Sequence, residues 1–180
     1  MANSVTLSRM QVLAIPSHMY PMLVLSDGAF SVFSYLIKLR TRGFYNHSMW
    51  LTSPGVVASQ HLLYKKRSLA PYFKAHRLKF WYNPDWTEND KFAIKSTIAS
   101  KLEQSWWLRL YDFKGIIGQA LGKRLLEWKW AYYCSEGDGE ILRVVEPSFN
   151  IDKPSPRDLN DWCKANEQMV VFGKYDPDTG

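Results

Sequence analysis

Tyr132-Tyr133-Cys134-Ser135-Glu136 carries one of only two cysteines in the chain, and its setting decides how the rest is read. Glu127-Trp128-Lys129-Trp130 leads into it, and Gly137-Asp138-Gly139 and the apolar run Ile141-Leu142-Arg143-Val144-Val145 follow. That order predicts Cys134 at the start of a helix, among backbone N–H groups without helical partners and at the positive end of the dipole. Both stabilise a thiolate, so a nucleophile belongs there. The alternative is a small buried thiol, since free cysteine is among the most buried residue types.

Outward from that stretch, 180 residues suit one domain with its own core. We expect a single domain over 1–174 and a flexible tail over 175–180. Cys134 and Cys163 are too few for a disulfide framework, and neither stands in a CxxC pair, so a reducing compartment is expected and no metal or cofactor is called for. Residues Met1 to Arg9 lack the basic-then-apolar pattern of a signal peptide, and no apolar run approaches membrane-spanning length. The expectation is a protein made in the cytoplasm with no membrane span. A net charge of +6 favours acidic partners such as nucleic acid, anionic lipid or an anionic wall polymer, without choosing among them.

Along the chain, Met19 to Leu25 is apolar and ends at the turn signal Ser26-Asp27-Gly28. Phe30, Phe33, Leu36 and Ile37 recur at helical spacing, with Gly43 as the stop. Tyr45 to Leu51 reads as a strand, Thr52-Ser53-Pro54-Gly55 as a turn and Val56 to Gln60 as the return strand. If the loop is even, His47 and Gln60 share a face; if it is odd, Ser59 replaces Gln60. Either residue could orient the imidazole of His47. Lys65-Lys66-Arg67 reads as a solvated loop, Ser68 to Phe73 as a turn or single helical turn, and Arg77 to Tyr82 as a half-buried strand. Thr87 and Asp90 resemble a capping box, and Phe92, Ile94, Ile98 and Leu102 continue the helix. A short helix is expected around Leu121 to Leu126, and a last apolar patch lies at Met169 to Phe172.

The order of these pieces resembles a family. A Gly-terminated helix precedes Tyr45-Asn46-His47, the polar-ended Ser59-Gln60 and Leu69 to Phe73. Then come Tyr111-Asp112-Phe113, Tyr132-Tyr133-Cys134-Ser135-Glu136 and Ser155 to Leu159. This is similar to the circularly permuted, NlpC-type branch of the papain-like cysteine amidohydrolases, over roughly residues 22 to 160. The resemblance implies an α+β, permuted papain-like fold: an antiparallel sheet, with strands near 46–51, 56–61 and 77–82, and the cysteine-bearing helix packed on it. It also implies Cys134 as nucleophile, His47 as general base and Gln60 or Ser59 as the orienting third residue, with Cys134 and Ser135 N–H groups as oxyanion donors. His18, His61 and His76 are rival bases. Two departures stand out: Gly137-Asp138-Gly139 interrupts the apolar helix, whose start could then be ragged, and neither Ser59 nor Gln60 is acidic.

Three functions follow as expectations. The first is a cysteine hydrolase that cleaves an amide, foremost a peptidoglycan peptide bond, with other acyl substrates open. It would reach the wall by lysis, a secretion device or a phage particle, with phage or secretion-device proteins as partners. The second is an inactive scaffold or structural module of the same fold. The third is a basic nucleic-acid-binding domain, ranked below the others.

Overall fold

Met22-Leu23-Val24-Leu25 is buried on both faces of a sheet, as a continuous apolar run between two packed layers requires. It belongs to β1 (Met22–Asp27), which pairs antiparallel with β2 (His47–Ser53) and β5 (Arg77–Tyr82). The structure is a computed structural model that describes residues 5–28, 38, 43–60, 63–74, 76–104 and 134–179. Beyond β2 lie β3 (Val56–Gln60) and β4 (Tyr64–Ser68), and beyond β5 lies β6 (Val170–Tyr175). The six strands run antiparallel throughout, in the order β4-β3-β2-β1-β5-β6.

Strand alternation divides the core between two faces. Val24, Met49, Leu51, Val57 and Phe80 pack with Val12 of α1 (Arg9–Leu13) and with Tyr72 and Phe73 of a 3₁₀ segment, Ala70–Lys74. On the opposite face, Leu25, Trp50, Ala58 and Trp81 meet Ile94 and Ile98 of α2 (Glu88–Glu103), Ile141 and Leu142 of α3 (Cys134–Arg143), and Leu159 of α4 (Pro156–Ala165). Fully burying side chains such as Ile141 and Leu142 contributes about 1.5–3 kcal/mol each, which holds α3 on the sheet. The architecture is α+β, with the cysteine-bearing helix packed chiefly on β2.

Several expectations shift. Lys65-Lys66-Arg67 is not a loop but lies in β4, an edge strand whose exposed lysines discourage pairing with another chain. Gly137-Asp138-Gly139 is helical, because Gly139 lets α3 approach closely: a Cβ there would lie 2.6 Å from Pro154 Cγ. Tyr175 does not start a tail. It ends β6 opposite Leu78, donates its hydroxyl to the Phe73 carbonyl at 2.9 Å, and is followed by Asp176 and Asp178, which pair with Arg77. The capping boxes of Thr87 with Asp90 and Ser155 with Asp158 start α2 and α4, although Phe92 faces solvent. The helix expected from Phe30 toward its stop at Gly43 falls outside the described residues over 30–42 apart from Lys38, which is helical, and so does the stretch from Trp106 to Tyr133.

Candidate active site

The β2–β3 hairpin turns through Pro54 and Gly55, whose φ of 69° suits glycine. Two residues alone would put His47 and Gln60 on one face. Instead the register shifts between Leu51 and Ser53: Ser53 pairs with Val56, but Leu51 pairs with Val57 and Trp50 with Ala58. One extra residue at a bulge reverses the parity, and Ser59 becomes the partner of His47, with His47 Nε2 3.0 Å from Ser59 Oγ. Ser59 Oγ lies in turn 3.3 Å from the Tyr72 hydroxyl, whose ring stacks parallel to His47 at 6.3 Å. The imidazole of His47 is thereby fixed from two directions.

Gln60 alternates to the other face, where α3 packs, and is buried there. Of the rival bases, His18 is exposed on the 3₁₀ segment Ser17–Met19 and His61 lies outside the described residues. His76 Nδ1 lies 2.8 Å from Ser26 Oγ, and its ring meets Tyr72 edge-on at 5.0 Å. Desolvation outweighs the nearby Asp27 carboxylate and holds the His76 pKa below the ordinary value, which favours a neutral ring.

Cys134 is the first described residue of α3 and is 2% exposed. The backbone N–H of Ser48, the residue beside His47 in β2, and the Ser135 N–H favour a thiolate at Cys134, as the Ser48 hydroxyl does more weakly. An N–H aimed at a side chain in this way belongs to the first turn of a helix. Burial nevertheless dominates, and with the Asp138 charge it pushes the Cys134 thiol up to about 11 despite those donors. Cys134 is therefore a neutral thiol at pH 7 rather than a preformed thiolate. Cys134 lies on the α3 face of the sheet with Ser48, whereas His47, one residue earlier in β2, points to the opposite face with Tyr72 and Ser59.

Below Cys134 on α3, Asp138 accepts the Ser48 hydroxyl at 2.6 Å through Oδ2. Asp138 Oδ1 is buried without a partner among the described residues, and desolvation pushes the carboxyl up to about 7. Ser48 has a single hydroxyl proton, so it serves either the carboxylate of Asp138 or the sulfur of Cys134. When Asp138 is protonated it donates to Ser48, and the Ser48 proton turns to the sulfur.

The structure thus joins His47 to Ser59 and Cys134 to Ser48. It leaves Gln60 away from the imidazole, on the face that His47 does not point to. Ser48, Tyr72 and Asp138 escaped the reading of the sequence. Period-two alternation from His47 would have turned Ser48 toward the helix, whereas nothing local marks Tyr72 or Asp138. Among the described residues, no cluster of His, Cys, Asp and Glu is arranged to hold a metal ion, and no helix is long and apolar enough to cross a membrane. No protein-family model matches the chain, and no curated protein sequence matches it.

Proposed function

We propose that the chain is a cysteine amidohydrolase of the permuted, papain-like, NlpC type, with Cys134 as nucleophile, His47 as general base and Ser59 as the residue that orients the imidazole. The observation that carries this reading is the His47–Ser59 hydrogen bond, formed one residue along β2 from Ser48, whose N–H favours a thiolate at Cys134. Ser59 supplants Gln60 as third member because of the bulge. With a thiol near pKa 11, the reaction starts from neutral partners. His47 points to the face of the sheet opposite α3, so its imidazole must swing round the start of β2 to take the Sγ proton as sulfur bonds to the acyl carbon, and it then passes that proton to the leaving amine as the C–N bond breaks. Water, deprotonated by the same imidazole, cleaves the resulting thioester and restores the thiol. The N–H groups of Cys134 and Ser135, at the start of α3, hold the oxyanion. The substrate is a wall-derived peptide or another acyl compound, reached through lysis, a secretion device or a virion.

Burial favours a second reading, the inactive scaffold, because a 2% exposed, neutral cysteine is also what a structural thiol looks like. Turnover of peptidoglycan peptides, acyl esters and thioesters by wild type, Cys134→Ala, His47→Ala, Ser59→Ala and Gln60→Ala separates the two. Catalysis requires near-complete loss in the first two variants, without additivity in the double variant. Ser59→Ala should lose roughly tenfold or more while Gln60→Ala loses less, given general-base contributions of about 10²–10⁴. A wild type that turns over none of these substrates leaves the scaffold.

A further inference from the structure

At the far edge of the sheet from Cys134, β5, β6 and α4 enclose a cavity of about 790 Å³. Three lysines converge on it. Lys79 and Lys174 are direct cross-strand partners in the β5–β6 register, and like charges directly opposite each other destabilise a sheet. Lys164 is brought to the same place by α4, whose Arg157, Asn160, Asp161 and Lys164 form one stripe at helical spacing.

Lys79 is only 6% exposed, and a buried ammonium ordinarily has a carboxylate for company. Here Nζ bonds the neutral Asn160 Oδ1 at 3.2 Å and lies 4.0 Å from the centre of the Trp81 ring. Neither Lys79 nor Lys174 forms a salt bridge among the described residues. Asp161 is engaged by Arg157 and Lys164, and Asp176 by Arg77. Burial, then Lys164 and Lys174, push Lys79 down to about 8. In the cavity lining, cations outnumber carboxylates five to two.

We propose that this cavity is a binding site for a small organic phosphate monoester, whose dianionic phosphoryl group sits among Lys79, Lys164 and Lys174. A doubly charged oxyanion cancels the Lys79–Lys174 opposition and offers enough acceptor oxygens for three ammonium groups, which a single carboxylate does not. The cavity exceeds what phosphate alone fills, and Phe44 and Tyr45 in its lining supply apolar surface for an organic moiety. The site is independent of Cys134: β1 and β5 lie between β2, which carries the Cys134 contacts, and β6.

Calorimetric titration of the full chain with adenosine monophosphate, inorganic phosphate and a single-stranded oligonucleotide tests it. Saturable binding of the monophosphate is expected, weaker binding of inorganic phosphate, and at least tenfold weakening in Lys79→Met. Lys164→Gln and Lys174→Gln, changes at less buried positions that keep the fold testable should Lys79→Met unfold, should each weaken binding severalfold. Lys66→Met, on the exposed edge strand β4, should change nothing. No saturable monophosphate binding up to roughly 10 mM, the limit of very weak association, overturns the proposal. So does equal weakening by Lys66→Met, unchanged binding in the three pocket variants, or an oligonucleotide that binds tighter with the same lysine dependence.

Discussion

Replacing Asp138 with asparagine should stabilise the protein at pH 8 and leave it nearly unchanged at pH 4. The carboxyl is 1% exposed, one of its oxygens lacks a partner among the described residues, and its pKa rises from 3.8 to about 7 on folding. Between those values the unfolded chain has released a proton that the native state still holds, so native stability falls as pH rises through this window and levels off above it. About three pH units at 1.36 kcal/mol each give a penalty on the order of 4 kcal/mol at pH 8, and 2–4 kcal/mol is a fair expectation once relaxation is allowed. Asparagine keeps the size, can still bond Ser48, and carries no charge to bury. Urea unfolding of both proteins at pH 4, 6 and 8, with matching slopes, reads the difference directly. If the wild type shows no loss from pH 4 to 8 that the variant lacks, or the variant is the less stable at pH 8, the buried-carboxylate account is wrong. Should Asp138→Asn be more stable yet slower in hydrolysis, the strained carboxyl is retained for its hold on Ser48 and Cys134.

Gly139→Ala should destabilise by about 1–3 kcal/mol through contact with Pro154 Cγ at 2.6 Å and Phe149 Cε1 at 3.0 Å, outweighing a helix-propensity gain of up to about 1 kcal/mol. A raised thermal midpoint would show that α3 has room there. Thr87→Ala removes the hydroxyl that caps Asp90 N and should cost about 1 kcal/mol in denaturant unfolding, whereas an unchanged midpoint would deny the cap its role. Iodoacetamide labelling of Cys134, followed by peptide mapping, should keep accelerating up to pH about 11, with Cys163, whose thiol burial also pushes up, inert in the native state. A plateau for Cys134 by about pH 8.5, the free-thiol value, contradicts the burial argument. Deleting Thr52 should remove the bulge yet leave Leu51 opposite Val57, so that Ser59 stays on the face of His47 and Ser59→Ala keeps its effect on rate in that background; an effect that passes to Gln60→Ala means that Thr52 is not the extra residue.

That deletion isolates the point where the sequence stops being informative. The strands within Tyr45 to Leu51 and Arg77 to Tyr82 are legible as short apolar and aromatic runs, even though both of their faces are buried, and the capping box of Thr87 is legible because its hydrogen bonds are local. Lys65-Lys66-Arg67 conceals a strand because an edge strand owes its place to β3 and not to burial of its own side chains. The choice between Ser59 and Gln60 turned on one unpaired residue near Thr52, and Val56 to Gln60 carries the same letters whichever register is adopted. Gly137-Asp138-Gly139 looked like an interruption for a related reason. A local scale counts two helix-weakening glycines, while the packed structure counts the Phe149 and Pro154 side chains that leave no room for a Cβ at Gly139. What the sequence could offer about the site was therefore its residue types and their order. Which of them touch was decided by long-range contacts, Ser48 with Asp138 across 90 residues above all, and such contacts leave no periodic trace in the chain.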